Sequence, residues 1–286
     1  MGVGAGPAAV RAIRLSLDLG WQLLLELLLL GAAAGFVAGL LGVGGGMLMV
    51  PFMTFLLAAR GMPSQHVVKM AVATSLATIC FTSISSVRAH HLKGAVRWDI
   101  VRALAPGILV GGLLGAQLAI ALPSKLLALV FAVFVGVSAT QMVLNKKPRP
   151  TRQLPGGPAL FGVGGLIGTV SALVGAGGAF LSVPFMTACN VAIHSAVATA
   201  AAVGFPIAVA GTIGYVIGGW SLVDMPAGAV GYIYVPALVT IAVASVLTAP
   251  LGARTAHRLE VAQLKRVFAV LLYTLAAYMA YTGIRS

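Results

Sequence analysis

Two stretches of this chain carry, in the same order, the residues best suited to chemistry. Residues 39–54 read GLLGVGGGMLMVPFMT, and residues 172–187 read ALVGAGGAFLSVPFMT. Gly42, Gly44, Gly45, Pro51, Phe52, Met53 and Thr54 match Gly175, Gly177, Gly178, Pro184, Phe185, Met186 and Thr187 at one offset (187 − 54 = 133). Clustered glycines break a helix, because glycine gains little from helical order and adopts dihedrals that other residues avoid. A helix that restarts after the break presents unpaired N–H groups and the positive end of its dipole. The starts at Gly44, Gly45 and Gly46 and at Gly177 and Gly178 are therefore expected to cradle an anion, with glycine letting the ligand reach the backbone. Gly42, Pro51, Gly175 and Pro184 shape the breaks. The competing reading is that these glycines only let helices approach closely.

Other polar residues lie within apolar runs. Lys69 and His194 each precede a shared Ala-Val-Ala-Thr, at 71–74 and 196–199, by two residues. A cation there would complete an anion site, since charges in lipid are costly and usually functional; alternatively, Lys69 snorkels to an interface. Thr74, Ser75 and Thr199 would donate hydrogen bonds to a substrate oxygen or bond helix to helix. Arg88, His90 and His91 would gate a pathway or anchor the chain at the cytoplasmic face. Glu26, near the edge of its run, is a candidate carrier of a coupling proton.

Composition sets the medium. Of 286 residues, 60% are hydrophobic and 8% charged. A soluble domain has about a quarter of its residues charged, so this is an integral membrane protein. Runs of about 20 apolar residues mean helices, because barrel strands are shorter and alternate in polarity. The formal charge of +13 falls mostly in short segments between runs, which argues for membrane orientation and against nucleic acid. Cys80 and Cys189 both lie in apolar runs and form no metal-ligand spacing.

The elements that must position these residues follow. Residues 1–20 form a tail or interfacial helix, 21–144 a first membrane repeat, 145–158 a basic, proline-rich linker, and 159–286 a second repeat. The first repeat has apolar segments at 21–41, 46–59, 67–87, 100–122 and 124–144; the second has them at 160–174, 179–189, 194–220, 230–251 and 267–284. Further matches strengthen the duplication: Thr74 pairs with Thr199 (199 − 74 = 125), and Gly115-Ala116 with Gly252-Ala253 (252 − 115 = 137). Five segments, an odd number, would invert one copy relative to the other if all five cross. Charge agrees. The loop after the third segment is basic in the first half (Arg88, Lys93, Arg97) and lacks Lys or Arg in the second. The loop after the fourth carries Lys125 alone in the first half, but Arg254, Arg258, Lys265 and Arg266 in the second. The predicted fold is an all-α polytopic membrane protein of about eight to ten segments, built as two inverted repeats, each with a glycine-broken helix pair. Basic loops favour the cytoplasm, which puts the linker inside and both termini outside.

The paired glycine-break–proline stretches, KMAVATS at 69–75, RAHHLKG at 88–94 and the Gly115-Ala/Gly252-Ala matches resemble the sulfite exporter TauE/SafE family of anion transporters. The second copy departs by having Ala179 where the first has Gly46. The resemblance implies export of sulfite, sulfoacetate or another small organosulfonate across the bacterial inner membrane. Expected partners are the small anion and the lipid bilayer; proton or sodium coupling and a homodimer are compatible with the chain. A secondary carrier working by alternating access is the leading expectation, and a passive anion channel is the alternative. No enzyme is expected: the histidines are scattered apart from His90 and His91, acids are almost absent from the spans, and no Gly-x-Ser-x-Gly occurs. No metal or cofactor is expected.

Overall fold

Lipid allows only chain segments that satisfy their own backbone groups, and the apolar runs answer by becoming helices. The computed structural model describes residues 7–41, 45–144, 153–222, 225–256 and 261–285. The first half contains α1 (Pro7–Leu41), α2 (Gly46–Ala59), α3 (Ser64–His91), α4 (Trp98–Ala121) and α5 (Ser124–Leu144). The second contains α6 (Gly157–Val174), α7 (Ala179–Ala188), α8 (Ile193–Gly219), α9 (Val235–Ala256) and α10 (Val261–Arg285). Eight of these helices are long and apolar enough to cross a membrane; α2 and α7 are shorter. At 1.5 Å per residue their 14 and 10 residues reach about 21 and 15 Å, short of the roughly 30 Å hydrocarbon core. The protein is an all-α, multi-pass membrane protein. Among the described residues its β structure is a hairpin of two-residue strands, β1 (Ala229–Val230) and β2 (Ile233–Tyr234), at the entrance to α9.

Several sequence boundaries shift: α9 spans Val235–Ala256 where 230–251 was expected, α10 spans Val261–Arg285 where 267–284 was expected, and α3 spans Ser64–His91 where 67–87 was expected. Helix α1 begins at Pro7, so the expected tail is continuous with the first span. Helix α6 begins at Gly157 instead of residue 160, its Pro158 occupying the first turn, where a missing N–H costs nothing. Gly42 and Gly44 of the first break, and residues 145–152 of the linker, lie outside the described residues.

Helices α3 and α8 form the centre: 72% and 61% of their apolar windows are buried, against 28–44% for the other spans. Around them each half reaches into the other, α1 packing along α9 and α6 along α4. Small residues make this possible, because close backbone approach and hydrogen bonds hold helices together in lipid. Gly107, Gly111 and Gly115 repeat every four residues on α4 and so share one face. A Cβ on any of them would overlap a carbonyl oxygen of α6, from Phe161, Gly165 and Thr169 respectively. The α1–α9 pair uses the corresponding positions. Gly31 and Gly35 match Gly164 and Gly168 (168 − 35 = 133) and lie against Ile241 and Ser245, which match Leu104 and Ile108 (245 − 108 = 137). Ser245 and Thr248 add hydroxyl bonds of 2.8 and 2.9 Å to the Gly31 and Ala32 carbonyls.

Gly111→Leu should lower the thermal stability of detergent-solubilised protein by about 1–3 kcal/mol or more, the usual cost of overpacking a filled contact. Gly136→Ala, in α5 with nothing within 4 Å of a new Cβ, should leave it unchanged. Equal melting curves for the two variants would contradict the interlock.

Candidate functional site

The two glycine breaks meet at the centre. Gly175 caps the end of α6 with φ +68°, and Gly178 begins α7 with φ +76°. Both values lie in the left-handed region that glycine adopts without strain. The Gly175 N–H and Ala176 N–H close the α6 terminus on the Ser171 carbonyl. The Leu181 and Ser182 N–H groups return to the Gly178 carbonyl at 3.1 and 2.9 Å. Gly46, the first residue of α2, sits so close to the Gly175 carbonyl that a Cβ would overlap it. The fully buried Ser75 hydroxyl donates to that same carbonyl at 3.1 Å. Gly45, which caps α2, abuts Ala34 of α1, where a Cβ would stand 2.7 Å from the carbonyl oxygen. Gly177 has looser surroundings, its nearest neighbour being Ile79 at 3.7 Å from a would-be Cβ.

Pro51 and Pro184 are each the sixth residue of their short helix. Three residues on, Thr54 and Thr187 return their hydroxyls to the Val50 and Val183 carbonyls at 2.8 and 2.9 Å. The short helices thus share the placing of the proline and the hydroxyl bond of the threonine that follows it.

The threonines of the shared Ala-Val-Ala-Thr are both fully buried and perform a crossed task. Thr74 Oγ1 accepts the Tyr234 N–H at 3.0 Å, immediately before α9. Thr199 Oγ1 accepts the Arg97 N–H at 3.0 Å, immediately before α4. Tyr234 and Arg97 are themselves matched (234 − 97 = 137). Each threonine therefore caps a helix of the other half. These contacts also set the sense of the central pair. The beginning of α3 lies by the end of α8, through the His66–Tyr232 ring contact and the Tyr232 N–H bond to Tyr215. The region after α3 reaches the beginning of α8 through Arg97 and Thr199. Helices α3 and α8 run antiparallel.

The expected cations are not brought together. Lys69 is half-buried, and its ammonium donates to the Ile120 carbonyl at 2.6 Å, at the C-terminal end of α4, where the helix dipole favours positive charge. His194 is exposed near the start of α8. Because α3 and α8 are antiparallel, the two lie toward opposite ends of the bundle. At the end of α3, Arg88 and His91 are exposed and His90 is half-buried; His91 Nδ1 accepts the Trp98 indole N–H at 3.2 Å. That region also carries the Arg97–Asp99 ion pair at 2.6 Å. Glu26 pairs with Arg60 at 2.9 Å, which joins α1 to the end of α2. Sequence reasoning passed over Ser171 and Ser182, both fully buried beside Gly178. Their signal was present: the first copy has Ala38 and Met49 at those positions (171 − 38 = 133 and 182 − 49 = 133).

A polytopic helical protein whose broken helices meet between two matched halves belongs to the class of membrane transporters. The family described as Sulfite exporter TauE/SafE matches residues 27–279, and the chain belongs to that family. It is 37% identical over 253 residues to a probable membrane transporter protein of Haemophilus influenzae, covering 88% of this chain and 96% of the relative. It is 28% identical over 240 residues to the probable membrane transporter protein MJ0441 of Methanocaldococcus jannaschii, covering 83% and 86%. A shorter match of 109 residues at 34% identity links it to the probable membrane transporter protein YunE of Bacillus subtilis, covering 38% and 37%. No solved structure gives a significant match.

Thr74→Val or Thr199→Val should each strand a backbone N–H and cost about 1–3 kcal/mol. The loss would be read as a lower melting temperature with membrane insertion intact. Glu26→Gln should leave the pH profile of transport unchanged, because its carboxylate already serves a half-exposed ion pair with Arg60.

Proposed function

We propose that this transporter is a secondary carrier. It exports a small sulfur-containing oxyanion (sulfite, sulfoacetate or another organosulfonate) across the bacterial inner membrane by alternating movement of two inverted repeats about a midplane site. The observation that carries the reading is the meeting of the breaks. Gly46 of one half is pressed against the Gly175 carbonyl of the other, and Ser75 donates to that carbonyl. Non-helical backbone at this depth is tolerated where protein or a watery cavity surrounds it, and in carriers such half-helix starts face anionic groups. The antiparallel α3 and α8, together with the crossed Thr74–Tyr234 and Thr199–Arg97 bonds, support the inverted relation of the halves. The family name supports the substrate class. Gly45, Gly46, Gly177 and Gly178 are the backbone elements of the site, and Ser75 is the hydroxyl between them.

The deciding experiment is counterflow in liposomes with purified protein and labelled sulfoacetate, competed by sulfite, sulfate, taurine and acetate. Exchange accelerated by internal substrate and suppressed by sulfonates is expected. Flux without acceleration would make the protein a channel. Gly178→Leu should abolish flux in protein that still inserts; unimpaired flux would overturn the cradle.

A further inference from the structure

We propose that the two breaks are unequal: the anion is held at the start of α7, and the Ser171 hydroxyl is its side-chain donor. This rests on the carrier reading and adds to it a residue and a direction of asymmetry.

Ser171 is fully buried in α6, and its Oγ has no hydrogen-bond partner among the described residues. A hydroxyl inside a helix normally has an easy outlet in the carbonyl four residues earlier. Thr54, Thr78, Ser138, Thr169 and Ser182 all take it, at 2.8–2.9 Å. Ser171 does not. Its Oγ faces the first residue before α7, lying 3.2 Å from where a Cβ on Gly178 would be. With the Leu181 and Ser182 N–H groups turned back to Gly178, the N–H groups of Ala179 and Phe180 have no acceptor within the helix. A buried, unpaired hydroxyl is therefore aimed at a helix start that already favours negative charge. A small oxyanion presenting one oxygen there would satisfy the hydroxyl and the backbone together, in surroundings where charge-assisted bonds are strong. Ile207 and Ile167 wall the position, so the anion enters without its water and displaces the Ile207 terminal methyl.

The first break lacks this equipment. Ala38 stands where the second copy has Ser171, and Met49 where it has Ser182. The space at the start of α2, about 10 Å³ in volume, is bordered by Val37, Ala38, Gly45, Met47 and Phe180. The hydroxyl nearest this start, Ser75, lies 3.2 Å from where a Cβ on Gly46 would be but already donates to the Gly175 carbonyl, so among the described residues the start of α2 has a helix dipole without a free side-chain donor.

The test is binding of labelled sulfite and sulfoacetate to the purified full chain in lipid nanodiscs. Ser171→Ala should weaken binding about tenfold or more, the scale of a hydrogen bond to a charged group. Its melting temperature should stay the same or rise, since the hydroxyl has no protein partner to lose. Ser171→Cys keeps the shape but is a weak donor, and should weaken binding similarly. Undiminished affinity in either variant overturns the proposal. A wild-type protein that binds neither anion overturns the carrier reading beneath it.

Discussion

A helix broken inside lipid must find partners for every backbone group it frees, and most of this structure serves that requirement. Hydrocarbon offers no hydrogen bonds, so an unpaired N–H or carbonyl there costs several kcal/mol. The second break shows how this is done. The end of α6 closes on its own Ser171 carbonyl through left-handed Gly175. The freed Gly175 carbonyl is taken by Ser75, which belongs to the opposite half. The second half therefore does not satisfy its break alone: α3 of the first half must be in place to take the Gly175 carbonyl.

The same dependence appears at the helix starts. Arg97 and Tyr234 precede α4 and α9, and each gives its N–H to a buried threonine across the molecule. The glycine-lined contacts α4–α6 and α1–α9 tie each half to the other. In water such an arrangement would lean on apolar burial. In lipid, where the surroundings are as apolar as the side chains, close approach and hydrogen bonds must supply the preference. That explains why the interface positions are glycines and threonines, whereas large residues such as Leu114, Val133, Leu166 and Leu247 are left exposed on the outer surface.

Much of this was legible in the chain. The bounds of α2 and α5 follow from apolar runs ended by Gly, Pro and basic residues, and both helices stand where the sequence puts them. Family membership was legible because the duplicated breaks keep their order and spacing. What escaped was which residues meet. Thr74 and Thr199 are equivalent in sequence, but nothing local reveals that each receives an N–H from the other half, 160 and 102 residues away. Lys69 and His194 looked like partners because they are equivalent. Antiparallel packing of α3 and α8 carries equivalent residues to opposite ends, so equivalence in sequence argues against proximity here. Reading a duplication for contacts requires knowing the symmetry axis, and that depends on tertiary packing.

The duplication also separates what the two copies share from what they do not. Positions that stay alike in both copies do structural work: the prolines with their trailing threonines, the interlocking glycines and the threonine caps. Beside the well-matched breaks, the hydroxyl positions are among those that differ: Ser75 faces Ala200 in the alignment of the halves (200 − 75 = 125), and Ser171 and Ser182 face Ala38 and Met49. The short helices share their proline and threonine pattern, but their starts differ: Gly45 caps α2 with φ −60°, whereas Gly178 caps α7 with φ +76°. The copies thus keep one proline–threonine helix and vary how it starts and which hydroxyls stand beside it, Ser75 against Gly46 in one and Ser171 and Ser182 against Gly178 in the other.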